Sequence, residues 1–175
     1  MPSPSNTRQA APAIFTYQLT LLGGFSLSVN GRTLKTVTAP RLQSLLAYLC
    51  LNAHKQLDRS YLASMFWPDV SEEQARGHLR KALYKLKECL PVADEPLEFS
   101  KSSIEWRASC ACDVLELEAL LEGPNTQEQL RRILTRYVGE LLPGCTDAWC
   151  LQRRESLRAR VLSVLDALCK QLETR

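Results

Sequence analysis

A chain of 175 residues is long enough for one medium domain or two small ones, each with a real core. Its apolar share of 45% and charged share of 23% sit near the globular average, which argues against disorder over most of the length. A formal charge of +3 is too modest to argue for a polyanionic partner by itself, so the distribution of that charge must decide.

Residues 1–13 hold Pro, Ser, Ala and Asn without periodicity and read as a disordered leader. They contain no apolar core of a signal peptide, and no run of about 18 apolar residues follows. The seven cysteines are odd in number and fall mostly inside apolar helical patterns. The expectation is a reduced, cytoplasmic chain whose cysteines pack as small hydrophobes, with no membrane partner.

From Phe15, "FTYQLTLLGGFSLSVNGRTLKTV" alternates in short β-rich runs. Phe15, Tyr17 and Leu19 share one face and Phe25, Leu27 and Val29 another, with hairpin turn signals at Gly23-Gly24 and Asn30-Gly31. A small antiparallel sheet is expected. Pro40 suits the first turn of a helix, and Leu42, Leu45, Leu46 and Leu49 repeat at helical spacing as far as Leu51. A second short helix carries Leu62, Met65 and Phe66 and is stopped by Pro68. Ser71 and Gln74 fit a capping box that opens a third helix, 71–90, ending before Pro91. "LEFSKSSIEWR", residues 97–107, gives two alternating runs about Lys101-Ser102-Ser103 and reads as a β-hairpin.

From Asp113 the pattern is helical. Helices are expected at 113–122, 127–138 and 147–173, separated by Gly123-Pro124-Asn125 and by Pro143-Gly144. The last carries Leu157, Val161, Val164, Leu165 and Leu168 on one stripe. A boundary near residues 108–112 divides a mixed module, 14–110, from a helical one, 111–175.

The third helix carries the chemistry. At roughly 100° per residue, Leu79, Leu83, Leu86 and Leu90 cluster within about a quarter of the circumference, with Ala75 and Ala82 beside them. Gln74, Gly77, Lys81, Tyr84 and Lys85 lie opposite. Arg76, Arg80 and Lys87 form a row along one flank, and His78 sits towards the other. Such a helix suits a DNA major groove, where the outermost residues reach base edges and flanking cations meet the phosphate rows. Gly77, Lys81, Tyr84 and Lys85 are the base-reading candidates. Arg76, His78, Arg80 and Lys87, with Lys101 and Arg107 of the following hairpin, are the phosphate candidates.

"LLGGFSLSVNGRTL", "APRLQSLLAYLCLNAHKQLDRSYLASMFWPD" and "ARGHLRKALYKLKECL" together resemble the OmpR-type winged-helix domain, in the version that heads Streptomyces antibiotic regulatory proteins (SARPs). Trp67, Asp69, Leu79, Leu83, Leu86 and Leu90 match that pattern. Gly139, Leu142, Pro143, Gly144, Asp147 and Trp149 resemble the start of the family's tetratricopeptide-like bacterial transcriptional activation domain. The resemblance implies an α+β fold: an N-terminal antiparallel sheet and winged helix-turn-helix, then an all-α segment.

It also implies a DNA-binding transcriptional activator that partners double-stranded DNA and RNA polymerase, and binds direct repeats as a dimer. Two departures stand out. Lys and Tyr replace several of the arginines usual in the family's third helix, so no target sequence carries over. Only 63 residues follow position 112, where the family's domain continues with further helical pairs, so a longer regulator with a further C-terminal sensor domain is expected.

Other constellations are weaker. Cys110-x-Cys112 and Cys145-x4-Cys150 lack the usual C-x2-C zinc spacing, so packing is expected rather than a metal or thiol sensor. His54 and His78 have no partner at ligand spacing. No phosphate loop, nucleophile elbow or paired-acid arrangement occurs, so neither a cofactor nor a catalytic site is expected. Trp67, Trp106 and Trp149 are expected in the core or an interface. The arginines of "LRRILTR" and "QRRESLRAR" are expected on solvated helix faces with local pairs such as Glu155–Arg158. The rival reading is a helical protein–protein interaction module with a basic face and no DNA function.

Overall fold

The computed structural model describes residues 15–91, 95–124 and 126–173. The expected leader at 1–13, Asn125 of one expected turn and the side chain of Leu168 lie outside them. Strands β1 (Tyr17–Thr20) and β2 (Ser26–Val29) form an antiparallel pair with Tyr17 opposite Val29 and Leu19 opposite Leu27. Residues directly opposite project to the same side of a sheet. The two apolar sets therefore share one face, not two, and all four side chains are buried there. Asn30 (φ 49°) and Gly31 (φ 76°) both adopt the left-handed conformation that a type I′ turn demands, and lead into β3 (Arg32–Leu34).

Helix α1 (Pro40–Leu51) turns its leucines inward. A short β4 (Leu57–Asp58) precedes α2 (Arg59–Phe66), whose N-cap Asp58 accepts the Tyr61 N–H at 2.7 Å. Helix α3 (Glu72–Cys89) opens with both reciprocal bonds of the Ser71–Gln74 capping box. Its face of Ala75, Leu79, Ala82, Leu83 and Leu86 is buried, as the periodicity predicts. Each of those leucines contributes roughly 1.5–3 kcal/mol by leaving water. β5 (Leu97–Phe99) and β6 (Ser103–Trp106) make the hairpin, and β4 pairs with β6 to give the order β4-β6-β5. Trp106 is fully buried and meets the Tyr17 ring edge-on at 5.1 Å, which ties this sheet to the first.

Two strands escaped the sequence reading, β4 at Leu57–Asp58, which lies in the stretch expected to be helix, and one further on. β7 (Cys110–Cys112) falls on the expected boundary and runs parallel to β1, completing the order β3-β2-β1-β7. The first sheet is therefore mixed rather than purely antiparallel. A parallel neighbour needs a long crossover, and the three helices with the hairpin supply it.

Helices α4 (Asp113–Leu121), α5 (Gln127–Arg136) and α6 (Ala148–Glu173) follow. They are bonded firmly to the first module. The Asp113 carboxylate accepts the N–H groups of Leu21, Leu22 and Val114 at 2.8–3.0 Å. α5 stops two residues earlier than expected because the chain must pass Gly23 closely. A Cβ at Gly139 would lie 2.8 Å from the Gly23 Cα. Beyond it the Gly23 N–H donates to the Glu140 carbonyl, and the Leu142 N–H to that of Leu21, both at 2.8 Å. Arg154 then donates to the carbonyls of Leu141, Leu142 and Cys145. Asp147 accepts from Ser44 and Arg41 of α1, while Trp149 donates to Ser44 and packs edge-on against Tyr48 at 5.3 Å. The run from Gly139 to Trp149 is thus the joint between the two halves. Among the described residues no helix is long and apolar enough to cross a membrane.

Candidate nucleic-acid interface

Among the described residues, no element covers the face of α3 turned away from the core. Gln74, Lys81, Tyr84 and Lys85 are exposed there, Tyr84 to 66%. Gly77 is half-buried, and a Cβ built on it would meet nothing within 4 Å. No internal packing requires that glycine, so its small size matters only to something approaching from outside. Glu88 sits on the same face, accepts a hydrogen bond from Tyr84 and raises that phenol above its ordinary pKa.

Cations around this face divide into two groups. Arg80, Lys81, Lys85 and Lys101 form no ion pair with any described residue, whereas the others are engaged. Arg76 pairs with Glu72 and donates to the Ser60 hydroxyl at 3.1 Å. Lys87 reaches Glu95 at 3.4 Å. Arg107 is held between Glu98 and Glu105 of the hairpin. His78 stacks on the Trp67 ring at 5.9 Å, and Arg41 covers the same indole.

Folding also brings in a residue that sequence reading missed. Arg59, the first residue of α2, opens on the same groove as Arg76, Arg80 and Lys101. Nothing local marks it, because its direction is set by how α2 crosses α3. Its position beside the N-cap was legible, but its aim was not.

The basic patches of the helical half look different from their expected form. No Glu155–Arg158 pair forms. Arg153 instead binds Glu118 at 2.7 Å, Arg160 binds Glu122 at 2.6 Å, and Arg136 binds Glu116. α4 offers carboxylates across the helix interface, and these replace the local pair. Arg153 and Arg154 are half-buried rather than solvated.

Cys50, Cys112 and Cys150 are buried, Cys89, Cys110 and Cys145 are half-buried, and Cys169 is exposed. Burial pushes Cys112 and Cys150 up to about 12 and holds Cys50 well above its ordinary value. No group of three or more His, Cys, Asp or Glu side chains is placed to hold a metal among the described residues. Trp106 and Trp149 lie in the core, and Trp67 is half-buried at its edge.

No family model matches this chain, and no curated protein does. Among solved structures it is similar to Mycobacterium tuberculosis EmbR in complex with low affinity phosphopeptide, with a TM-score of 0.56 at 18% identity. The match covers 87% of this chain and 42% of that one, so the chain spans less than half of EmbR's length. At that identity the likeness is one of fold. It supports an α+β fold in which a sheet and winged helix are followed by a helical segment.

Proposed function

We propose that the chain is a sequence-reading DNA-binding transcriptional regulator of the activator type, with α3 laid in the major groove. Gly77, Lys81, Tyr84 and Lys85 face base edges, the lysines donating to guanine acceptors. Arg80 and Lys101 meet phosphates directly. Arg76 and Lys87 join them by exchanging a surface carboxylate for a phosphate, a change that costs little because exposed pairs are worth about 0–1 kcal/mol. His78 and Arg107 contribute least, one stacked on Trp67 and the other held by two glutamates. The observation that carries the reading is the set of uncommitted cations on one outward helix face beside a hairpin tip. RNA polymerase as a partner, and dimers on direct repeats, belong to the same proposal.

A salt series tests it, using duplex DNA from the region upstream of the chain's own reading frame and an unrelated duplex. Contact with four or five phosphates gives a log–log slope near about −4. That slope, with a preference of about a hundredfold for one duplex, is the expected result. Absence of binding at about 50 mM salt would sink the DNA reading and leave the interaction module.

A further inference from the structure

We infer that the groove between α3, the start of α2 and the tip of the hairpin is a seat for one backbone phosphodiester, with Arg59 as its central cation. The inference rests on the DNA reading above and makes it specific. Four cations from three separate elements, Arg59, Arg76, Arg80 and Lys101, line one concave surface together with the hydroxyls of Ser60 and Ser102. A single carboxylate opposes them among the described ion pairs, Glu72 on Arg76.

The scaffold holds this arrangement in place. The Arg59 N–H donates to the Ser102 carbonyl at 2.8 Å, which clamps the start of α2 to the hairpin tip. Arg76 donates to Ser60 at 3.1 Å, which ties α3 to the same end of α2. Among the described residues the Arg59 guanidinium itself makes only a long contact of 3.4 Å, to the Ser100 carbonyl. Its donors are therefore mostly uncommitted. Like charges gathered in one concavity focus a positive potential, and an anion entering it relieves their mutual repulsion. A phosphodiester presents two non-bridging oxygens that share one negative charge, a pattern that a guanidinium fork binds bidentately.

Position favours the DNA backbone over a free phosphate. Arg76 and Arg80 lie on the flank of α3 next to its outward face. When a helix occupies a major groove, its flanks face the phosphate rows. Lys101 closes the groove from the hairpin side, so one strand passes between helix and hairpin with a phosphate at Arg59.

The test uses the full chain and a duplex selected from a random pool, with an unselected duplex alongside. Arg59→Ala should weaken binding to both by about tenfold, since a charge-assisted bond is lost, and should make the salt slope shallower by about 1. Arg59→Lys should keep the slope, and the melting temperature should not move. Replacing single phosphates by neutral methylphosphonates should reveal one position that weakens the wild type about tenfold yet has no further effect on Arg59→Ala.

Wild-type affinity and slope in Arg59→Ala would overturn the seat. So would an equal loss in Arg59→Ala at every methylphosphonate position. If Arg59→Ala lowers the melting temperature, Arg80→Ala on the opposite wall carries the same comparison. Should the wild type bind no duplex, the DNA reading falls separately. The seat is then judged with inorganic phosphate: Ser60 and Ser102 amide shifts that vanish in Arg59→Ala would keep it, and their absence would sink it.

Discussion

The arginines of the helical half and the cations of α3 contribute charge of the same sign to the same small excess, yet they are spent differently. Arg136, Arg153 and Arg160 each hold a glutamate of α4 or its C-terminal turn, and Arg154 is filled by three carbonyls. Arg80, Lys81 and Lys85 hold no described carboxylate. A paired charge projects little field beyond a Debye length of about 8–10 Å, whereas an unpaired one remains available to a ligand. The difference teaches that counting basic residues on a helix locates very little. What matters is whether an acid lies within reach after folding.

The largest effect should come from breaking a partnered arginine. Arg154→Ala would strip donors from carbonyls of Leu141, Leu142 and Cys145 within the joint and should cost about 3 kcal/mol of stability. Urea unfolding measures it. DNA affinity of the folded fraction should stay as it was. A loss below about 0.5 kcal/mol would mean that these bonds are ornamental and that the contrast between the halves is false.

Alkaline pH probes the same joint by another route. Cys112 and Cys150 are pushed up to about 12 by burial, against an ordinary value of 9.0. Above the ordinary value the unfolded thiols ionise while the folded ones keep their protons. The unfolded state then binds fewer protons, so stability falls as pH rises through that window. The slope should approach about 1.4 kcal/mol per pH unit for each thiol. Denaturant midpoints between pH 9 and pH 11 measure it, and because buried Cys50 is raised as well, Cys112→Val should remove about a third of the slope. A flat profile would place these thiols in contact with solvent and weaken the case for a tight joint.

How much of this was legible beforehand follows the distance over which each feature is decided. The α3 core face, its capping box and Pro40 at the first turn of α1 are local, and periodicity with end chemistry predicts them. β7 is three residues long and owes its existence to β1, far back in the chain, so no local pattern could announce it. The Gly139-to-Trp149 motif was visible, but its purpose depends on Gly23, Ser44 and Tyr48. The outward row of α3 was read directly because a helix fixes its own phase. Arg59 was missed because its aim depends on how two helices cross, and the Glu155–Arg158 pair was wrongly expected because α4 could not yet be placed opposite α6.

Removing an uncommitted cation should show the opposite signature to Arg154→Ala. Lys81→Ala or Lys85→Ala should each cost about 1–2 kcal/mol of DNA affinity, mostly on the preferred duplex, with no change in unfolding. Equal loss on all duplexes would demote that lysine from base edge to phosphate. No loss in either variant would remove α3 from the groove.

The smallest effect gives the sharpest limit on the contrast. Arg158 is exposed and unpaired among the described residues although it belongs to the helical half. Lack of a partner alone would therefore nominate it as a DNA contact, whereas position would not. It stands on α6, the helix that packs on α4 and α5, and not on the free face of α3 or the groove beside it. Arg158→Gln should thus change stability by less than about 0.5 kcal/mol. It should change DNA affinity by less than about twofold, a long-range field effect that added salt removes. If it instead weakens binding as much as Lys85→Ala, freedom from partners matters more than placement. The interface would then have to extend along α6, and DNA would bend or wrap to reach it.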